Sequence, residues 1–204
     1  GNSQNANVYI YSSSPTIKNS VIQYSSNAGM RIEGGSPSII ANTIQLSLDA
    51  GIRMKGSASP NVTGNTIQNN VAGIYAEDSG PSPFIATNNL LNNSSYPISL
   101  YPTNATNLGD NTATGNLEDV IELRAGNISR DTTWPKTSLV YIVTGDISVY
   151  NTNGTATLTI EPGIEVRFNA GTGMYVGDVT FETWKGALKA QRPDGPEPRQ
   201  SRRR

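Results

Sequence analysis

The chain has no cysteine and no histidine. Without cysteine there is no disulfide framework and no thiolate metal site. Without histidine it lacks the commonest general acid–base group and the commonest nitrogen ligand for zinc or copper. A Ser-His-Asp or Cys-His nucleophile cannot be assembled from what remains. Charged residues are sparse at 15%, and hydrophobic residues make up only 35%. No apolar run approaches the ~20 residues of a membrane span. Polar, uncharged residues fill much of the 204 positions, with Asn, Ser, Thr and Gly dominant. That composition is too polar for a compact globule with a wide core. It suits a thin solenoid, in which each turn buries a few side chains and exposes the rest.

The net charge of −1 is unevenly spread. Residues 185–204 hold Lys185, Lys189, Arg192, Arg199, Arg202, Arg203 and Arg204 against Asp194 and Glu197, which makes that end +5 and the remainder about −6. A mildly acidic body argues against a nucleic-acid partner. The sequence opens at Gly1-Asn2-Ser3 in what already reads as repeat, as a mature domain or an excised piece would, so a missing leader says little.

Internal repetition is the dominant signal. An apolar-x-apolar tripeptide recurs as Val8-Tyr9-Ile10, Met30-Arg31-Ile32, Ile52-Arg53-Met54, Ile74-Tyr75-Ala76, Ile98-Ser99-Leu100 and Ile121-Glu122-Leu123, at spacings of 22, 22, 22, 24 and 23. Ser-Pro recurs in step at Ser14-Pro15, Ser36-Pro37, Ser59-Pro60 and Ser82-Pro83. An apolar residue follows each proline after two positions (Ile17, Ile39, Val62, Ile85) and again after seven (Ile22, Ile44, Ile67, Leu90). Five positions after each proline stands Ser20, Asn42, Asn65 or Asn88. No apolar stretch is long enough for a helix, and proline and glycine punctuate every turn. Short β-branched segments between turn residues read as strands. The expectation is an all-β parallel β-helix of about 22–23 residues per turn, with three short strands per turn stacked ~4.8 Å apart. Asn42, Asn65 and Asn88 are expected to form a structural ladder, because a stacked amide both donates to and accepts from its neighbours at a tight turn.

Segments such as Gly64-Asn65-Thr66-Ile67-Gln68-Asn69-Asn70-Val71-Ala72-Gly73-Ile74-Tyr75 resemble the right-handed parallel β-helix repeat of the pectate-lyase-like group, including carbohydrate-binding and sugar-hydrolase modules. The resemblance covers roughly residues 5–128. It implies a right-handed coil, which is also the usual hand of parallel crossovers, but no particular activity. In the resembling lyases and hydrolases, the cleft lies along the face of the tripeptide strand. After Arg124 the texture changes. Tyr141–Val149, Thr157–Phe168 and Met174–Val176 are strongly β and are similar to the stretch that opens β-helix modules in large bacterial and archaeal surface proteins. The reading is β-helix turns over 1–130, further β-rich turns or a cap over 131–191, and a disordered basic Pro/Arg tail over 192–204. Continuation of the solenoid is suggested by a 22-residue step from Ile121 to Val143.

Alternate residues of the tripeptide strand point outward. One outward column reads Tyr9, Arg31, Arg53, Tyr75, Ser99, Glu122; the next reads Tyr11, Glu33, Lys55, Glu77, Tyr101, Arg124. Tyrosine rings can lie on the apolar faces of sugars, and Arg31 and Arg53 can hold uronate carboxylates as bidentate donors. Tyr9, Arg31, Arg53, Tyr75, Tyr101, Glu33 and Glu77 are therefore the glycan-binding candidates. The competing account makes Glu33, Lys55 and Glu77 cross-strand ion pairs worth a few tenths of a kcal/mol each. Glu33 and Glu77 would stand about 9.6 Å apart, the wide edge for an inverting carboxylate pair, with Lys55 between them holding both ionised. The resembling polygalacturonases and epimerases use histidine, which this chain lacks, and Asp49 and Asp78 form no evident calcium cluster. No catalytic residue, metal ligand or cofactor is assigned. Asn-x-Ser/Thr acceptors at Asn61, Asn92, Asn93, Asn104, Asn127 and Asn153 give weak support for an extracellular or cell-surface location. Three readings follow: a polysaccharide-binding module without catalysis, a structural or adhesive rod, and, more weakly, a fragment of a polysaccharide lyase or glycoside hydrolase. Candidate partners are a polysaccharide, and a second copy stacked on an open solenoid end.

Overall fold

The computed structural model describes residues 6–178 and 183–190. The 192–204 tail lies outside the described residues. The chain winds into a stack of parallel strands. The longest sheet has eight: Ala6–Tyr11, Ala28–Glu33, Ala50–Lys55, Ala72–Ala76, Ile98–Leu100, Ile121–Leu123, Tyr141–Val143 and Val166–Phe168. Two further sheets close the cross-section over the first turns. One stacks Thr16–Lys18, Ser38–Ile40, Asn61–Thr63 and Phe84–Ala86; the other stacks Val21–Gln23, Thr43–Gln45, Thr66–Gln68, Asn89–Leu91 and Thr112–Thr114.

The register is the one the repeat predicts. Met30 pairs with Ile52, Arg31 with Arg53, Ile52 with Ile74, and Ile39 with Val62. Like therefore stacks on like. Ile32, Met54, Ala76, Leu100 and Leu123 form one fully buried column, and Met30, Ile52, Ile74, Ile98 and Ile121 another. Burying each Ile, Leu or Met of these columns contributes roughly 1.5–3 kcal/mol, and the Ala76 methyl about 0.8 kcal/mol. Pro37, Pro60 and Pro83 are buried at one corner, and the carbonyls of Pro15, Pro37 and Pro60 each accept a hydrogen bond from the next turn. A proline there presents no N–H needing a partner on its other side.

The other corners use left-handed backbone. Asn19, Ala41, Gly64 and Thr87 share positive φ between the second and third strands, and Tyr24, Leu46, Asn69, Asn92 and Gly115 share it after the third. Where the chain returns to the long sheet, Gly51 sits against the next turn: a Cβ there would lie 2.5 Å from Ile67 Cγ2 and 3.0 Å from the Gly73 carbonyl oxygen. Gly29 and Gly73 occupy the same place one turn either side.

The long sheet runs through residue 130 unbroken, whereas the flanking sheets are replaced. A short 3-10 helix, Pro102–Asn104, occupies the turn after Leu100. New three-stranded sheets begin at Gly126–Ile128 and Thr132–Trp134. Ile121 pairs with Tyr141 and not with Val143, so the expected 22-residue step is 20, and the next, Tyr141 to Val166, is 25. The change in turn length accompanies a change of filling. Trp134 and Tyr141 are fully buried and stacked at 5.9 Å, the indole donating to the Pro102 carbonyl and the Tyr141 hydroxyl to the Pro135 carbonyl. Burial pushes the Tyr141 phenol pKa up.

Candidate functional site, the outer face of the long sheet

The parallel register brings most of the sequence candidates onto one face. Tyr9, Arg31, Arg53, Tyr75, Ser99 and Glu122 are consecutive partners, and Tyr11, Glu33 and Lys55 form the neighbouring column. Of the eight charged residues between 6 and 95, all but Lys18 lie on this face or its bordering turns.

Six of these charges pair with one another, while Asp78 accepts hydrogen bonds from the Gly56 and Gly80 N–H groups. Arg31 Nε lies 2.6 Å from Glu33 Oε1, and its Nη2 lies 3.0 Å from Glu77 Oε2. Arg53 Nη1 lies 2.7 Å from Asp49 Oδ2, and its Nε faces Glu77 Oε2 at 3.5 Å without an aligned hydrogen bond. Lys55 Nζ stands 3.6 Å from Glu77 Oε1. The expected alternation of Glu33, Lys55 and Glu77 is thus only part of a half-buried network built around Arg31 and Arg53. Asp49, left out of the candidate set, completes it. Desolvation raises the Glu33 carboxyl, but hydrogen bonds from Arg31 and Tyr9 and the charges of Arg31 and Lys55 outweigh it and hold its pKa below the usual value. Tyr9 donates to Glu33 Oε2 at 3.0 Å. Desolvation, and then that carboxylate, push the Tyr9 phenol up.

Further along, Arg124 lies between two rings, 4.3 Å from the centroid of Tyr75 and 4.4 Å from that of Tyr101. Its Nη1 donates to the Tyr75 hydroxyl at 2.7 Å and its Nη2 to the Ala76 carbonyl. Both tyrosines are thereby occupied by a cation–π sandwich. What stays open is the other end. Tyr11 is 66% exposed, its ring 6.3 Å from that of Tyr9. Beside it is a depression of about 240 Å³ lined by Tyr11, Ser12, Glu33, Gly34, Lys55, Gly56 and Ser57. Tyr11 is not among the sequence candidates, although it heads their column.

The ladder residues lie on a different corner and point inward. Asn65 Oδ1 accepts from the Asn42 backbone N–H at 2.9 Å and from Asn42 Nδ2 at 3.1 Å; Asn65 Nδ2 donates to the Ile39 carbonyl at 2.8 Å and to Asn88 Oδ1 at 2.9 Å. Asn88 repeats the pattern onto Asn111. A second ladder, Asn70, Asn93 and Asn116, runs one corner later and ends on the Asp119 carboxylate at 2.7 Å. Desolvation raises Asp119, but the hydrogen bonds from Asn116 and Gly115 outweigh it and hold its pKa low. This ladder also leaves a signal in the sequence, since Ser25, Ser47, Asn70, Asn93 and Asn116 recur every 22–23 residues. Asn93 and Asn104 are buried, which removes two of the six acceptor tripeptides from consideration as glycan sites.

Among the described residues, no group of three or more Asp or Glu side chains is gathered as a metal site would need, and no helix is long and apolar enough to cross a membrane. A family model described as the right handed beta helix region matches residues 2–133. No curated protein and no solved structure matches the chain.

Proposed function

This chain belongs to the right-handed β-helix family, and from that premise we propose that it is a non-catalytic polysaccharide-binding module of a secreted or cell-surface protein. The observation that carries the reading is the open Tyr11 depression at the start of the long-sheet face. A sugar ring needs an aromatic plane for its C–H face and polar groups around its rim. Tyr11 supplies the plane, with the Tyr9 ring beside it at 6.3 Å and tilted by 33°; Ser12, Ser57, Glu33 and Lys55 supply the rim. Arg31 and Arg53 are already paired with Glu33, Glu77 and Asp49, and the eight charges between residues 6 and 95 sum to zero. Those facts favour an uncharged glycan over the polyuronate that a pair of free arginines would suit. A glycan array with neutral and acidic polysaccharides, followed by calorimetry on Tyr11→Ala and Arg53→Ala, tests the reading. Neutral glycans are expected to bind, Tyr11→Ala to abolish binding and Arg53→Ala to weaken it less. A blank array, or binding that survives loss of both Tyr9 and Tyr11, would overturn it.

A structural rod is the second reading. It is favoured by side-chain ladders that link turn to turn at two corners. It predicts a blank array together with self-assembly.

A further inference from the structure

The third sheet and the corner that follows it carry no charge. Residues 19–28, 41–48, 64–72 and 87–95 contain no Asp, Glu, Lys or Arg. Asp49, at the border, is drawn to Arg53 on the charged face. On this flank Gln23, Gln45 and Gln68 form an outward ladder, with side-chain bonds of 2.7 and 2.6 Å. Beside it Tyr24, Leu46, Leu48 and Val71 are all exposed, Tyr24 at 71% and Leu48 at 76%. Tyr24, Leu46 and Leu48 line one shallow groove of about 290 Å³ together with Ser25 and Ser26.

Two of these apolar residues stand where the backbone least favours them. Tyr24 and Leu46 have φ of +62° and +59°. Left-handed backbone is costly for a residue with a Cβ and is tolerated best by glycine and asparagine. In the later turns the same position is Asn69, Asn92 and Gly115. The first two turns alone thus hold large apolar side chains on the surface against a backbone penalty. Tyr24, 71% exposed, gains little packing within the chain to offset that penalty, whereas Leu46 is 36% exposed.

We propose that this uncharged flank is where a second copy of the chain packs side by side. An uncharged, apolar-and-amide surface selects a partner of the same character, because a charged one would have to be desolvated with no pairing group. A second copy offers such a surface, and its strands carry the same repeat along the stack, ~4.8 Å per turn. About a two-fold axis, the Tyr24–Leu46–Leu48 edge of one copy meets that of the other as an isologous contact. Three apolar side chains, Tyr24, Leu46 and Leu48, line the groove, far fewer than the roughly 20–30 residues a side of a standard long-lived interface. The association is therefore weak and concentration-dependent. It is lateral, unlike end-to-end stacking, and leaves the Tyr11 face free.

Sedimentation equilibrium from about 1 µM to 1 mM on the wild type, on the Tyr24→Asn/Leu46→Asn double variant and on Leu48→Ser tests it. The wild type is expected to rise from monomer toward dimer mass. Both variants should weaken the dimer at least tenfold. The asparagines match the later turns and relieve strain, so the double variant should melt no lower than the wild type; Leu48→Ser supplies a second reading at an unstrained position. Tyr11→Ala should associate like the wild type, which separates this contact from the glycan site. A wild type that stays monomeric, or variants that associate undiminished and so through the solenoid ends, would overturn it.

Discussion

Replacing Asn65 with alanine probes the device that holds the turns at one corner. The Asn65 amide makes two accepted and two principal donated hydrogen bonds, all between 2.8 and 3.1 Å. Not every partner is orphaned by its loss. Asn42 Nδ2 keeps the Ile17 carbonyl, and Asn88 Oδ1 keeps the Asn65 backbone N–H. The Asn42 backbone N–H, in contrast, has no other acceptor among the described residues and lies in a buried corner. One buried unsatisfied donor costs about 1–3 kcal/mol, and a lost hydrogen bond whose partners remain satisfied about 0.5–1.5 kcal/mol. The sum is roughly 1.5–4.5 kcal/mol. Gln45→Ala, in the outward, half-buried glutamine ladder, is the control, at about 0.5 kcal/mol or less. Urea unfolding followed by circular dichroism gives both values. Because a solenoid can unfold in segments and lower the m-value, the exchange rate of the Asn42 amide proton is read alongside. A loss below about 0.5 kcal/mol for Asn65→Ala, or an equal loss for Gln45→Ala, would refute the reasoning.

Other perturbations follow from the same geometry. Gly51→Ala drives a Cβ to 2.5 Å from Ile67 Cγ2 and should lower stability by about 1–3 kcal/mol, measured by the same urea titration. Ala41→Gly, at a φ of +53°, should raise the melting temperature slightly, since relief of left-handed strain, about 1–2 kcal/mol, outweighs the extra freedom of glycine when unfolded, about 0.5–1 kcal/mol; a lower melting temperature would count against the strain. Glu33 and Asp119 have folded pKa values below their unfolded ones, so the unfolded chain binds more protons at acid pH, and their stabilisation, present above the unfolded values, is lost as pH falls through the folded ones. Thermal melts across the acid range should therefore show a shallower decline in Glu33→Gln and Asp119→Asn than in the wild type.

The coil is legible in the sequence because its cause is periodic. Columns such as Ile17-Ile39-Val62-Ile85 and Met30-Ile52-Ile74 read as inward stacks from their spacing alone, and Asn42-Asn65-Asn88 reads as a ladder. The second ladder and the Gly29-Gly51-Gly73 column obey the same period but contain small or polar residues, which an apolar template passes over. The Ile121 step misleads because Tyr141-Ile142-Val143 offers two in-phase starts, and Tyr141, stacked on Trp134, is the one that pairs with Ile121. The site is less legible still. Sequence spacing gathers Arg31, Glu33, Arg53 and Glu77 on one face, but whether those side chains reach outward to a ligand or toward one another depends on rotamers. Asp49 takes Arg53, and Arg124 takes both Tyr75 and Tyr101, by contacts that no period encodes.

The in-register stack is tested most directly by engineered disulfides, for which a cysteine-free chain is a clean background. Thr43 and Thr66 are register partners on neighbouring strands, and Gln68 lies two residues past Thr66 on the same strand. Adjacent strands are ~4.8 Å apart, within the 4.4–6.8 Å Cα span that a disulfide needs, while the diagonal is about 7–8 Å. Oxidised Thr43→Cys/Thr66→Cys should close an intramolecular bond without loss of stability, and Thr43→Cys/Gln68→Cys should not. Closure of the diagonal pair in preference, or of neither, would contradict the stack.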